Sequence, residues 1–142
     1  MTSRPEQILK LLQARLGAVA TCARNIALPE RIPAGGFLVL RDGDPGAPDR
    51  VLGGFGGLYY SHKVELEVFV AVGEAAARDA AFDNLLLAIG AALDADPTLG
   101  GLAAGMTYAR PPVDLEAIEG APAIKFALVP ITIEYVTNAA FG

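Results

Sequence analysis

The chain has 142 residues, 53% of them hydrophobic, and a formal net charge of −5 from 11 Lys and Arg against 16 Asp and Glu. That length suits one domain with a single core, and no basic block is present to neutralise a phosphate backbone, which excludes nucleic-acid binding through bulk electrostatics. Met1-Thr2-Ser3-Arg4-Pro5-Glu6 lacks the basic-then-apolar layout of a signal peptide, and no apolar run approaches the roughly 18 residues of a bilayer span, so a soluble protein assembled in a cytoplasm, without a membrane partner, is expected.

Ser3 supplies an N-cap oxygen, Pro5 is tolerated in a first turn, and Glu6 stands where it would complete a capping box. Ile8, Leu11, Leu12, Arg15 and Leu16 then follow helical spacing until Gly17. Pro29 and Pro33 forbid a long helix between Ala18 and Pro33, which reads as a connector. Cys22, the only cysteine, can form neither an internal disulfide nor a Cys-rich metal site and reads as a small buried hydrophobe.

Phe37 to Arg41 is a short apolar strand flanked by Gly35-Gly36 and by Asp42-Gly43-Asp44-Pro45-Gly46. From Asp42 to Gly57 there are six glycines and two prolines, a composition that disfavours regular structure and predicts a mobile loop over about 42–58. Val51, Leu52, Phe55 and Leu58 add apolar groups that a purely solvating loop does not need, which points to partner contact, although a hairpin could tuck them against its own strands.

Tyr60 to Val72 is the clearest strand: His62, Val64, Leu66, Val68, Val70 and Val72 share one face, and Lys63, Glu65 and Glu67 the other. His62 invites a reading as general base or metal ligand. No second His exists, and strand parity sends Ser61, Glu65 and Glu67 to the opposite face, so a Ser/His/acid set cannot assemble locally and a structural or interface role is the simpler one. The wet-face Glu65 and Glu67 suit solubility and a cross-strand pairing with Lys125.

Ala75 to Leu93 takes up helical period with Phe82, Leu85, Leu86, Ile89, Ala92 and Leu93 on one face, and its Ala-rich far side could be covered by a subunit neighbour. Asp94 and Asp96 could suggest a metal pair, yet Pro97 and Gly100-Gly101 make turn chemistry the simpler account. Met106-Thr107-Tyr108-Ala109-Arg110 predicts a strand that stops or bends at Pro111-Pro112, and Val113 to Glu116 an extended edge piece. A turn at Glu119-Gly120-Ala121-Pro122 precedes the last strand, Ala123 to Val136. There Ile124, Phe126 and Leu128 alternate before Pro130, and Ile131, Ile133 and Tyr135 alternate after it on opposite parity. A bulge at Pro130 with a local open edge is therefore expected.

The chain has no Gly-rich phosphate loop followed by Lys-Ser or Lys-Thr, no nucleophile elbow, no His-Glu-x-x-His and no paired-Cys ligand set. Gly53-Gly54-Phe55-Gly56-Gly57 lacks the lysine and lies between presumed strands. No catalytic residue, cofactor or metal is expected. These elements describe an α+β single domain over residues 1–142, a mostly antiparallel sheet packed by an N-terminal and a central amphipathic helix.

The order of elements resembles the tail terminator (minor tail, tail completion) proteins of long-tailed phages, prophages and gene transfer agents. The likeness is carried by the N-terminal helix, the Gly/Pro-rich loop, the long strand Tyr60 to Val72, the helix ending in Asp94-Ala95-Asp96-Pro97-Thr98-Leu99-Gly100-Gly101, and the terminal Ile131-Thr132-Ile133-Glu134-Tyr135. It covers most of the chain and implies a non-enzymatic virion protein, assembled in a bacterial cytoplasm, that forms a hexameric ring. Such a ring caps the tail tube, stops its growth, and docks the head-completion or connector protein. The resemblance supplies no residue-level motif. By position in this chain alone, Arg41, Asp42, Asp44, Asp49, Arg50 and Phe55 are the candidates for contact with the major tail tube protein or connector, and Arg110, Pro130 and Glu134 for contact between subunits. The alternative is a small cytoplasmic enzyme or binding module with a site at Tyr59, Tyr60, Ser61 and His62.

Overall fold

A computed structural model describes residues 1–27, 31–50, 56–117 and 119–142. The elements run α1 (Arg4–Gly17), β1 (Thr21–Arg24), β2 (Phe37–Asp44), β3 (Asp49–Arg50), β4 (Leu58–Ala71), α2 (Ala75–Ala95), β5 (Gly105–Tyr108), β6 (Val113–Glu116) and β7 (Ile124–Thr137). One sheet takes them in the order β1-β2-β4-β7-β5, with β3 continuing beside β4 and β6 continuing beside β7. Among the described residues, only β1 is parallel to its neighbour.

The centre of the sheet is the β4–β7 pair, in register without interruption from Leu58 opposite Thr137 to Ala71 opposite Ile124. Parity along this pair divides the molecule. Val64, Leu66, Val68 and Val70 of β4, with Ala127, Val129, Ile131, Ile133 and Tyr135 of β7, face the helices and are buried. Leu38 and Leu40 join them from β2, Ile8, Leu9, Leu12 and Leu16 from α1, and Phe82, Leu85, Ile89 and Leu93 from α2. The α+β fold thus has both helices on one face of the sheet. A smaller cluster of Phe37, Val39 and Phe69 lies on the other face, backed by Ile32, Ile124 and Phe126.

Local chemistry explains the helix ends. Ser3 Oγ accepts from the Glu6 amide. Glu6 does not return the capping-box bond, because its carboxylate is taken by Arg24. Glu74 caps α2 by accepting from the amides of Ala76 and Ala77. Beyond α2, Asp96 accepts from Gly100 N–H and Thr98 Oγ–H and pairs with Arg15 of α1 at 2.9 Å, while Leu99 is buried with a φ of 49°. Asp96 therefore builds a turn and ties it to α1, and Asp94 accepts from the Tyr108 hydroxyl. Among the described residues no three His, Cys, Asp or Glu side chains converge as a metal site, and no helix is long and apolar enough to cross a membrane.

Four sequence expectations about the strands change. The connector expected over 18–33 contains β1, a four-residue strand whose Thr21 to Arg24 pair in parallel with Phe37 to Leu40. So short a piece has no alternation of its own, and its conformation comes from its neighbour. The loop expected from Asp42 is partly strand: β2 runs to Asp44, and β3 pairs Asp49 and Arg50 with Tyr59 and Leu58. Val51, Leu52 and Phe55 lie outside the described residues.

The third is the bulge at Pro130, since β7 passes Pro130 in register with Glu65. The change of apolar parity there arises because Ile124 and Phe126 serve the second cluster on the open face, while Ala127 and Val129 carry the buried face through without a shift. The irregularity sits on the neighbouring strand instead. Tyr108 pairs with Ile131 and Val113 with Ala127, so Ala109-Arg110-Pro111-Pro112 spans three residues of β7 with four of its own. Val129-Pro130 thereby faces a gap between β5 and β6, the local edge that a residue without an N–H tolerates. The expected pairing of Lys125 with Glu65 or Glu67 is also replaced. Lys125 lies opposite Val70 on the helix side and bonds Asp79 of α2 at 2.8 Å.

A true bulge lies in β2, where Asp42 and Gly43 together oppose Val64. Gly43 has a φ of 67°, and a Cβ there would run into the carbonyl oxygen of Lys63. Gly43→Ala should lower unfolding free energy in urea by about 2 kcal/mol or more, from left-handed backbone strain plus the clash, whereas Gly46→Ala, which meets no neighbouring atom, should cost less.

Candidate functional site

The Asp42–Gly43 bulge is held from two sides. His62, 6% exposed on the helix face, places Nε2 at 2.6 Å from the Asp42 carbonyl and Nδ1 at 2.7 Å from the Tyr135 hydroxyl. A carbonyl can only accept, so Nε2–H donates to it; in the neutral ring Nδ1 then accepts from Tyr135 Oη–H. Burial, with Tyr60 stacked alongside at 5.5 Å, pushes the Tyr135 phenol up to about 12, so it stays protonated and able to donate. His62 is in this arrangement a rivet joining β2, β4 and β7.

On the outer side, Arg24 of β1 clamps two carboxylates. Its Nη1 and Nη2 donate to Glu6 of α1 at 2.6 and 2.9 Å, and its Nε and Nη2 donate to Asp42 at 2.7 and 2.9 Å. The guanidinium holds both carboxyls below their ordinary values, and they hold Arg24 above its own. Asn25, with a φ of 54°, accepts from the Asp42 amide through its side chain and donates its own amide to Leu40. Arg41 on the open face pairs with Glu67 and donates to the Ile26 carbonyl at 2.6 Å.

The candidate contact residues therefore divide by what they already bond. Arg41 and Asp42 are engaged inside the chain, where they shape the base of the hairpin. Asp44 accepts from the Gly46 amide in the turn that follows. Asp49 and Arg50 lie in β3, and every residue from Gly43 to Arg50 is exposed. Phe55 lies outside the described residues. Arg110 stands in the crossing between β5 and β6, at the rim of a groove of about 500 Å³ between that crossing and α2. Leu86, Gly90, Pro111 and Val129 line the groove, and the Tyr108 hydroxyl bonded to Asp94 closes one side. Pro130 and Glu134 lie on the sheet face opposite the helices, with Glu134 holding the Tyr59 phenol above its ordinary value.

The cluster at Tyr59 to His62 is split by parity. Tyr60 and His62 point into the core, and the neighbouring Tyr59 and Ser61 belong to the open face, so Ser61 and His62 do not meet. A cavity of about 410 Å³ reaches Tyr60, His62 and Tyr135 from the start of α1 and the end of the chain, but both ring nitrogens of His62 are already bonded. Sequence reasoning missed Arg24, Glu6 and Tyr135 as partners. Arg24 and Glu6 carry no local signal, because α1, β1 and β2 bring them together only in three dimensions. Tyr135 stands in the alternating run that marks the buried face of β7.

No protein-family model matches the sequence, and no curated protein matches it. Among solved structures the chain is similar to one described as "Virion of native gene transfer agent (GTA) particle", at 16% identity over 92% of this chain and 89% of that one, with a TM-score of 0.35.

Two outcomes test the geometry. Tyr135→Phe should cost about 1–2 kcal/mol in urea unfolding, because it leaves His62 Nδ1 buried without a donor. Glu6 and Asp42 bind protons less readily folded than unfolded. Their contribution is thus complete above their ordinary values of 4.5 and 3.8 and is lost as pH falls through and below them. Arg24→Met should cost about 1–2 kcal/mol at neutral pH, above an exposed pair because four charged contacts meet on a side chain only 16% exposed, and should flatten the acid limb of the stability curve.

Proposed function

We propose that the chain is a virion assembly protein of the tail-terminator type. It forms a homo-oligomeric ring that seats on the end of a tail tube, stops tube polymerisation, and offers its other side to a head-completion or connector protein. The work is done by surfaces and requires no covalent chemistry. The observation that carries this reading is the hairpin formed where β2 and β3 both pair along β4: its described residues from Gly43 to Arg50 are exposed, while its base is held by the Arg24 clamp and the His62 rivet. A base held by these bonds beside the exposed stretch Gly43 to Arg50 suits docking on a preformed structure. Asp44, Asp49, Arg50 and Phe55 are the contact residues in this reading, and Arg41 and Asp42 fix the end of β2 from which that stretch begins.

A ring needs two different patches that meet head to tail and close. The groove beside Arg110 and the open face carrying Pro130 and Glu134 serve as the subunit contacts in this reading, and Leu87, 64% exposed on α2 at the groove, adds apolar area.

Light scattering on a size-exclusion column, repeated with tail tubes in a sedimentation assay, tests the proposal. A mass near six subunits, in solution or on the tube end, is expected; a protein that stays monomeric at every concentration and does not sediment with tubes overturns it. Asp49→Arg with Arg50→Glu should weaken tube binding while leaving thermal stability unchanged, and either change alone should cost only about 0–1 kcal/mol, as for rim charges.

A further inference from the structure

The two edges of the sheet are unlike. At one edge, β1 is closed by α1: Gln13 Nε2 donates to the Cys22 carbonyl, and the edge cation Arg24 is spent on Glu6 and Asp42. At the other edge, β6 pairs with β7 on its inner side and, among the described residues, with no strand on its outer side. All four residues of β6 are exposed, Val113 by 43% and Leu115 by 57%. Their register with Ala127 and Lys125 puts Val113 and Leu115 on the helix side of the sheet, and register with Phe126 and Ile124 puts Asp114 and Glu116 on the open side. Glu116 also borders a shallow groove of about 270 Å³ floored by Ile124, Phe126 and the 47% exposed Leu128.

An open edge is a template for another strand, and side chains on it select which one. From this pattern we infer that β6 is a docking strand for an extended segment of another protein that alternates basic and apolar side chains. Backbone groups of the segment continue the ladder, its apolar side chains lie beside Val113 and Leu115, and its Lys or Arg side chains lie on the open face against Asp114 and Glu116. Their aliphatic stems run over Leu128 and the groove floor. A second copy of this chain is the wrong occupant by charge. Two-fold pairing through β6 sets Asp114 and Glu116 against their own equivalents, and like charges opposite one another destabilise a ladder. Pairing with β1 of a copy meets an edge whose arginine is already bonded. The inference does not rest on the ring, and its readout is peptide binding, not mass or tube capping.

The probe is a fluorescein-labelled, end-blocked hexapeptide of alternating Lys and Val. It is compared with a peptide of equal charge whose central Val is Pro, and with an alternating Glu and Val peptide. Fluorescence anisotropy should show binding of the first, at least about tenfold weaker binding of the Pro peptide, which cannot complete a ladder, and none of the acidic one. Amide exchange should slow at Val113 to Glu116 when the basic peptide is bound. Asp114→Lys with Glu116→Lys should reverse the preference between basic and acidic peptides, and Asp114→Asn with Glu116→Gln should weaken the basic peptide without admitting the acidic one; all four substitutions are at exposed positions. Equal binding of the Pro peptide, protection away from β6, or indifference to the charge changes overturns the proposal. So does protection of β6 in the free protein that rises with its concentration, which would assign the edge to a second copy.

Discussion

The uninterrupted antiparallel ladder between β4 and β7 is the constraint from which the other features follow. With both strands in one register over their full length, the side-chain parity of each residue is set once for the whole molecule. Everything that must be buried under α1 and α2 takes one parity. A slip of one residue would turn Val64, Leu66, Ile131 and Ile133 outward together, and each of these side chains is worth about 1.5–3 kcal/mol when fully buried. That collective cost explains why the irregularities fall on the flanking strands, in the Asp42–Gly43 bulge of β2 and the proline crossing between β5 and β6, and leave the central pair straight.

The same parity makes His62 structural. Placed on the buried side beside Tyr135, it has one ring nitrogen within reach of a hydroxyl and the other within reach of the carbonyl that the bulge exposes. A buried imidazole must satisfy both nitrogens, and here it does so by fastening the bulge to the core. Arg24 performs the complementary task from the outside, where a fork of donors matches two carboxylates at once. The two fasteners reach Asp42 by different atoms, its carbonyl and its carboxylate. The start of the exposed hairpin is therefore tied to β4 and β7 through His62 and to β1 and α1 through Arg24.

The two edges show how a sheet limits its own association. At β1 the helix α1 and the Arg24 clamp use up polar groups that another chain could have bonded. At β6, among the described residues, no such cover exists, and two carboxylates on the open face take its place as a filter on what can pair there. The Pro111-Pro112 crossing also shortens each free stretch of this edge to four residues, which limits uncontrolled strand addition.

Much of this fold was legible in the chain because its signals are local and periodic. The α1 and α2 faces, the alternation along β4, the prolines that split β5 from β6, and the turn at Asp96 to Gly101 each depend on residues within a turn or two of one another. The single-domain α+β class followed from their order, and the opposite parity of His62 and Ser61 already separated a would-be dyad. Tertiary structure alone decided the rest. β1 is a strand only because β2 lies beside it, and Pro130 needs no bulge because Ile124 and Phe126 have an apolar cluster of their own on the second face. Lys125 belongs to Asp79 instead of Glu65 or Glu67 because register puts it under α2. Arg41 and Asp42 looked free in the sequence and are bonded in the fold, since their partners Glu67 and Arg24 are distant along the chain. Periodicity records which way a side chain faces; only packing determines what it meets there.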